Sequence, residues 1–263
     1  MTQVRRPDAF NRWQYVPTEL VERADGPAER ELLASALEKL AADKQRAAKV
    51  QGTVARSFLA INSDASGPPL FWCFNNWSEP HLLAAQLPSN IPLYAFVSTH
   101  LYVEDWKVKG RLIDSISKML IEDFDALGLS VDTLGGNCQG APIAESIAIQ
   151  MRASKRHAPR LITLDYAPRR AYRGPYTLVF GEKSRFNVFN DCDDPVSLWR
   201  QRGMQPDIRV IEDGHHGRYF LKPAIHDLAA IISELTEAAA KTNSNSGLDQ
   251  VLRLAKQFLC RFK

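Results

Sequence analysis

From about Thr53 the chain alternates short apolar runs with longer stretches whose apolar residues recur every three to four positions. Runs of strand length stand at 54–61 (VARSFLAI), 69–74 (PLFWCF), 92–97 (PLYAFV), 131–134, 160–165 (RLITLD), 176–181 (YTLVFG) and 207–212 (DIRVIE). In 110–127, Leu112, Ile113, Ile116, Met119, Leu120, Phe124 and Leu127 fall at helical spacing, which predicts an amphipathic helix. A second helix is predicted from Ala141 to about Met151. Strands alternating with helices predict an α/β domain with a mostly parallel central sheet and helices on both faces.

The pattern also sets three segments. Residues 1–52 form an N-terminal helical extension: 1–26 are irregular, and Pro27 opens a helix to about Val50 with Leu32, Leu33, Ala36, Leu37, Leu40 and Ala47 on one face. Residues 53–240 form the main domain. Residues 241–263 begin with a polar linker, KTNSNSG, and end in a short basic segment. There Leu248, Val251, Leu252, Ala255, Phe258, Leu259 and Phe262 alternate with Arg253, Lys256, Arg261 and Lys263. That spacing suits an amphipathic helix folding back on its own domain, or docking on a partner or an anionic surface. The sequence contains no internal repeat.

Composition narrows the class. The sequence of 263 residues is 45% apolar and 24% charged, with a net charge of +3. That charge gives no footing for nucleic acid, and no apolar run reaches membrane-span length. The N-terminus has no apolar signal core. The 4 cysteines, Cys73, Cys138, Cys192 and Cys260, are far apart and lack metal-ligand spacing. They read as reduced thiols, so the expectation is a cytoplasmic protein with no metal.

The candidate chemistry begins at TLGGNCQGAPIAESIAIQ, 133–150, where Gly136-Asn137-Cys138-Gln139-Gly140 joins a strand to a helix. G-x-C-x-G has the form of a nucleophile elbow with cysteine in place of serine. The glycines suit a sharp turn that strains its central residue and lifts the side chain above the sheet edge. The N–H of Gln139 is then a candidate oxyanion donor, and the helix N-terminus is expected to lower the Cys138 thiol pKa. Downstream, RLITLDYAP ends a strand on Asp165, at the carboxyl edge where ligands bind. VIEDGHHGRYF places His215 and His216 after the last strand. A nucleophile, an acid and a histidine in that chain order match an elbow-type triad. Asp191, Asp193 and Asp194, after the next strand, are rivals for the acid.

With these residues in view, 53–238 resemble the thioesterase domains of non-ribosomal peptide and polyketide synthases, within the α/β-hydrolase superfamily. GPPLFWCFNNW resembles their strand and oxyanion loop, LGGNCQGAPIAESIA their elbow and EDGHHGRYFLKPAIHDLAAII their histidine loop and last helix. The resemblance implies an α/β-hydrolase fold with catalytic Cys138, Asp165 and His216. It prefers His216 because the family histidine stands in a G-x-H register. It also implies an oxyanion hole of the Gln139 and Asn76 backbone N–H groups, with Gly136 and Gly140 as the elbow glycines.

Three features depart from the family pattern. Phe74-Asn75-Asn76-Trp77 replaces a loop of histidine and small residues. Tyr166 to Pro175 leave no room for the usual helical lid, so the lid is expected to be essentially absent. The helix of 27–50 is the candidate replacement, unless it packs away from the site. Finally, the nucleophile is cysteine rather than serine.

The implied function is a thioesterase-like enzyme with a Cys-His-Asp triad. It would cleave or transfer an acyl or peptidyl group from a carrier-protein thioester through an acyl-cysteine, by hydrolysis, cyclisation or transfer to an acceptor. Its partner would be an acyl or peptidyl carrier protein or a synthase. It would need no cofactor of its own, the substrate arriving on the carrier's phosphopantetheine. The alternative is a non-catalytic α/β-hydrolase-like protein that binds an acyl ligand or a partner.

Overall fold

The computed structural model describes residues 27–103, 106–154, 156–190, 192 and 194–259. The expected irregular segment 1–26 lies outside the described residues, as do the side chains beyond 242 that carry the basic C-terminal pattern. Eight strands form one sheet: β1 (Thr53–Ala55), β2 (Phe58–Ile61), β3 (Leu70–Phe74), β4 (Leu93–Val97), β5 (Thr133–Asn137), β6 (Arg160–Leu164), β7 (Tyr176–Gly181) and β8 (Asp207–Ile211). Their order is β1-β2-β4-β3-β5-β6-β7-β8, with β1/β2 and β2/β4 antiparallel and the rest parallel. This is the doubly covered, mostly parallel sheet that the alternating pattern predicts.

Side-chain alternation along each strand builds two cores from one apolar run. In β3, Phe71 and Cys73 enter one layer with α3 (Trp106–Ala126) and α4 (Ala141–Ala153). Leu70, Trp72 and Phe74 enter the other, with α2 (Glu79–Ala84) and the start of α6 (Ala224–Leu259). Phe58, Phe71, Tyr94 and Phe124 form an aromatic knot in the first layer, with centroids 4.4–6.3 Å apart. Each pair of this kind adds about 1 kcal/mol beyond burial. A short helix, α5 (Pro195–Gln201), covers that layer near β7 and β8 and buries Trp199 completely.

Two expectations need correction. The run 54–61 is two antiparallel strands, because Arg56 takes φ +52° and turns the chain between Ala55 and Phe58. Its guanidinium pairs with Asp123 at 2.5 Å, and the Ser57 N–H donates to the same carboxylate at 3.2 Å. The expected linker at 241–247 is continuous helix within α6. Its Lys, Thr, Asn and Ser residues each cost less than about 1 kcal/mol in a helix, and no proline interrupts them.

Of the two placements left open for the N-terminal helix, α1 (Pro27–Ala48) takes the one away from the site. It packs on β1, β2, α3 and the turn at Thr99–Leu101, burying Ala36, Leu40 and Ala47. That places it at the antiparallel end of the sheet. β5, which leads into Cys138, is four strands from β1, or about 20 Å. The helix is a flank of the core and not a cover over Cys138.

Candidate active site

The elbow follows from local geometry. β5 runs straight into Cys138, which adopts φ +45°, and α4 starts three residues later. The Cys138 N–H donates to Leu164 O at 3.0 Å, tying the turn to the neighbouring strand end. Gly140 lies against β3: a Cβ there would sit 2.1 Å from Cys73 O. At Gly136 a Cβ would meet the Ala141 backbone at 2.9 Å. Both glycines of the motif are therefore demanded by close backbone approach, as the sequence implies.

Asp165 occupies the adjacent strand end. It takes φ +52°, and its N–H donates to Val179 O at 2.9 Å. Its carboxylate is almost wholly buried and accepts three hydrogen bonds. Oδ2 faces His216 Nδ1 at 2.8 Å and accepts from Ser184 Oγ at 2.7 Å, while Oδ1 accepts from Tyr219 Oη at 2.6 Å. The Tyr219 hydroxyl in turn accepts from the Gly181 N–H at 2.9 Å. The Phe186 ring meets the His216 imidazole edge-on at 4.3 Å.

The structure thus brings Asp165 and His216 together, next to the Cys138 turn. His215 lies on the exposed side of the loop. Asp194 caps α5 through the Ser197 N–H at 3.0 Å, and so has a structural task away from the triad. Asp191 and Asp193 lie outside the described residues. With Nδ1 held by the acid, Nε2 is the ring nitrogen left to serve a nucleophile.

Two expectations at the nucleophile change. Burial pushes the Cys138 thiol above its ordinary pKa; the charges of Asp165 and Glu79 add to this, and the Gln139 N–H and Arg185 oppose it. The expected helix-driven lowering is outweighed. The oxyanion loop is also differently wired. The Gln139 N–H donates to Asn75 Oδ1 at 3.1 Å. The backbone N–H of Asn75 donates to the Glu79 carboxylate at 2.9 Å. In this arrangement the expected Gln139 donor already has a partner.

Glu79 is the fastener of this corner, a role that nothing in its local sequence marks. At the first position of α2 it reads as an ordinary helix-start acid. In the fold it also accepts from Asn76 Nδ2 at 3.0 Å and from Asn137 Nδ2 at 3.1 Å, while Asn137 Oδ1 accepts from Trp72 Nε1 at 3.0 Å. The oxyanion loop, the residue before the nucleophile and β3 are joined through one carboxylate, whose pKa burial raises. Trp77 in that loop is half-buried and packs against both cores.

The lid is absent among the described residues: 166–175 is an irregular connection with no helix. It is clamped down instead. Buried Glu145 on α4 accepts from Tyr166 Oη at 2.9 Å and from the Arg169 and Arg170 N–H groups at 3.1 and 3.3 Å. No described helix is long and apolar enough to cross a membrane.

No protein-family model matches this sequence, and no curated protein matches it. Among solved structures, the chain is similar to the NocB thioesterase domain in covalent complex with a fluorophosphonate nocardicin G analogue. The two share 19% identity at a TM-score of 0.53, over 68% of this chain and 99% of that one. The same thioesterase domain from the nocardicin cluster, without that ligand in its description, matches at 18% identity and a TM-score of 0.52, over 68% and 98%. At such identities the likeness shows the fold. Together with the strand order, it makes this chain an α/β-hydrolase fold with β5 leading into the elbow.

Proposed function

We propose that this protein is a thioesterase-like enzyme that takes an acyl or peptidyl group from a carrier-protein thioester onto Cys138. The observation that supports it best is the 2.8 Å contact between His216 Nδ1 and Asp165 Oδ2, beside a cysteine held at φ +45° in an elbow. The description of its structural neighbour as a thioesterase domain supports the same class.

Each group then has a chemical task. His216 Nε2 takes the Cys138 proton as sulfur adds to the thioester carbonyl, and Asp165 stabilises the imidazolium and fixes its orientation. Backbone N–H groups at the elbow and the oxyanion loop hold the tetrahedral oxygen. The carbonyl carbon–sulfur bond to the pantetheine breaks, and the imidazolium returns its proton to that leaving thiol. The acyl-cysteine is itself a thioester, so its activation is kept for transfer to a thiol, an amine or an internal nucleophile. Water gives hydrolysis. The raised thiol pKa makes the base necessary: the resting sulfur is mostly protonated near neutrality.

A binding protein without catalysis is the second reading, favoured by the occupied Gln139 N–H. The test is incubation with acyl-loaded carrier proteins and intact-protein mass spectrometry. The enzyme should gain the acyl mass on Cys138, and Cys138→Ala should gain none. Wild-type protein that never carries the mass across a range of loaded carriers refutes the covalent reading and leaves the binding protein.

A further inference from the structure

The Gln139 N–H, the elbow's own oxyanion donor, already has an acceptor in the side-chain carbonyl of Asn75. That oxygen holds the place the tetrahedral oxygen of a bound acyl group would need. Asn75 is half-buried, and this contact lies at the exposed end of the site. Its backbone, by contrast, is fixed: the Asn75 N–H donates to Glu79, which also binds Asn76 and Asn137. Side-chain rotation can therefore release Gln139 without moving the loop.

We infer that the Asn75 side-chain amide is a displaceable plug of the oxyanion site, which the acyl donor's carbonyl oxygen must push aside. This rests on Cys138 being the acylated nucleophile. A neutral ground-state carbonyl is an acceptor about as good as the Asn75 amide, so it gains little by displacing it. A developing oxyanion accepts a charge-assisted bond about twice as strong. The exchange is therefore favourable as the tetrahedral species forms, and Asn75 suppresses idle acyl binding while leaving the transition state served.

The test compares two reactions at the same sulfur. Acetyl transfer from S-acetyl-N-acetylcysteamine builds an oxyanion. Alkylation by iodoacetamide displaces iodide at a saturated carbon and builds none. The ratio of acetylation to alkylation rates isolates the hole from the reactivity of the thiol. Asn75→Ala should raise this ratio about three- to tenfold, the range spanned by one net hydrogen bond. Asn75→Asp is nearly isosteric and puts a carboxylate on the same N–H, so it should lower the ratio below wild type. It also carries the test if the alanine variant does not fold.

A ratio that is unchanged or lower in Asn75→Ala overturns the plug while leaving the acyl-cysteine intact. Acetylation seen only in Asn75→Ala supports it most strongly. If neither protein is acetylated although both are alkylated, Cys138 is not an acyl acceptor and the plug falls with that reading.

Discussion

Replacing Tyr219 with phenylalanine removes one oxygen and keeps the ring. That oxygen donates to Asp165 Oδ1 at 2.6 Å and accepts from the Gly181 N–H at 2.9 Å, in a place where Tyr219 and Asp165 are both about 3% exposed. Losing a bond to a buried charge costs about 1.5–3 kcal/mol, and an orphaned buried N–H about 1–3 kcal/mol. Allowing for relaxation, the variant should be about 2–4 kcal/mol less stable. For a chain of this size that is a fall in Tm of about 5–15 °C. Denaturant unfolding at neutral pH should show the midpoint shift with an unchanged slope.

The same change has a functional signature that a loss of packing would lack. Asp165 would keep Ser184 and His216 on Oδ2 but lose the bond that fixes Oδ1, so the carboxylate would orient the imidazole less well. The rate of Cys138 acylation should therefore fall about three- to tenfold in Tyr219→Phe, the range of one net hydrogen bond. A comparison with Tyr172→Phe is informative, since its hydroxyl bonds the Pro159 carbonyl, away from the site. That variant should lose some stability and keep the acylation rate. A Tyr219→Phe protein as stable as wild type, and acylated as fast, would show that the hydroxyl does not position the acid.

His216→Ala should abolish acylation of Cys138 in the mass-spectrometric assay, whereas His215→Ala should keep most of it; the reverse pattern would contradict the Asp165 contact. Gly140→Ala should cost more than about 3 kcal/mol, since its Cβ would lie 2.1 Å from the Cys73 carbonyl oxygen, and a variant melting like wild type would rule out that packing. Gly217→Ala, next to Asp165's partner His216 and with open space around it at φ +79°, should cost only about 1–2 kcal/mol in the same melts. Because burial raises the Cys138 pKa above the ordinary 9.0, alkylation by iodoacetamide should be slow at pH 7 and climb with pH to a midpoint above that of free cysteine. A midpoint below 9.0 would reverse the sign of this argument.

The order of the triad residues was legible because it depends on connectivity. A parallel sheet with right-handed crossovers brings successive strand ends to one edge, so residues closing three strands must meet whatever lies between them. Cys138 and Asp165 could be named as candidates from that rule and the glycine spacing, and His216 over His215 from the family's G-x-H register. The groups that orient them could not. Ser184 is 19 residues beyond Asp165, and Tyr219 is 54. Serine and tyrosine are too common for such separations to stand out. Glu79 was hidden differently. An acid at a helix start has an ordinary local explanation, and only the fold turns it toward Asn75, Asn76 and Asn137.

The thiol pKa shows where local reasoning chose the wrong winner. A helix N-terminus stabilises a nearby anion by about 0.3–1 kcal/mol, less than one pKa unit. Burial can move an ionisable group by several units. Cys138 is partly buried and has two carboxylates, Asp165 and Glu79, opposing its ionisation, with only the Gln139 N–H and the exposed Arg185 guanidinium in favour. The dipole loses on magnitude. Cys73, fully buried one strand away, is driven further in the same direction, to about 12. A sulfur kept protonated at rest needs its proton removed at the moment of attack. The histidine that would do so is the one whose other nitrogen rests on Asp165. Burial does most to hold the thiol neutral, and the carboxylate that adds to it also supports the base that would activate the sulfur.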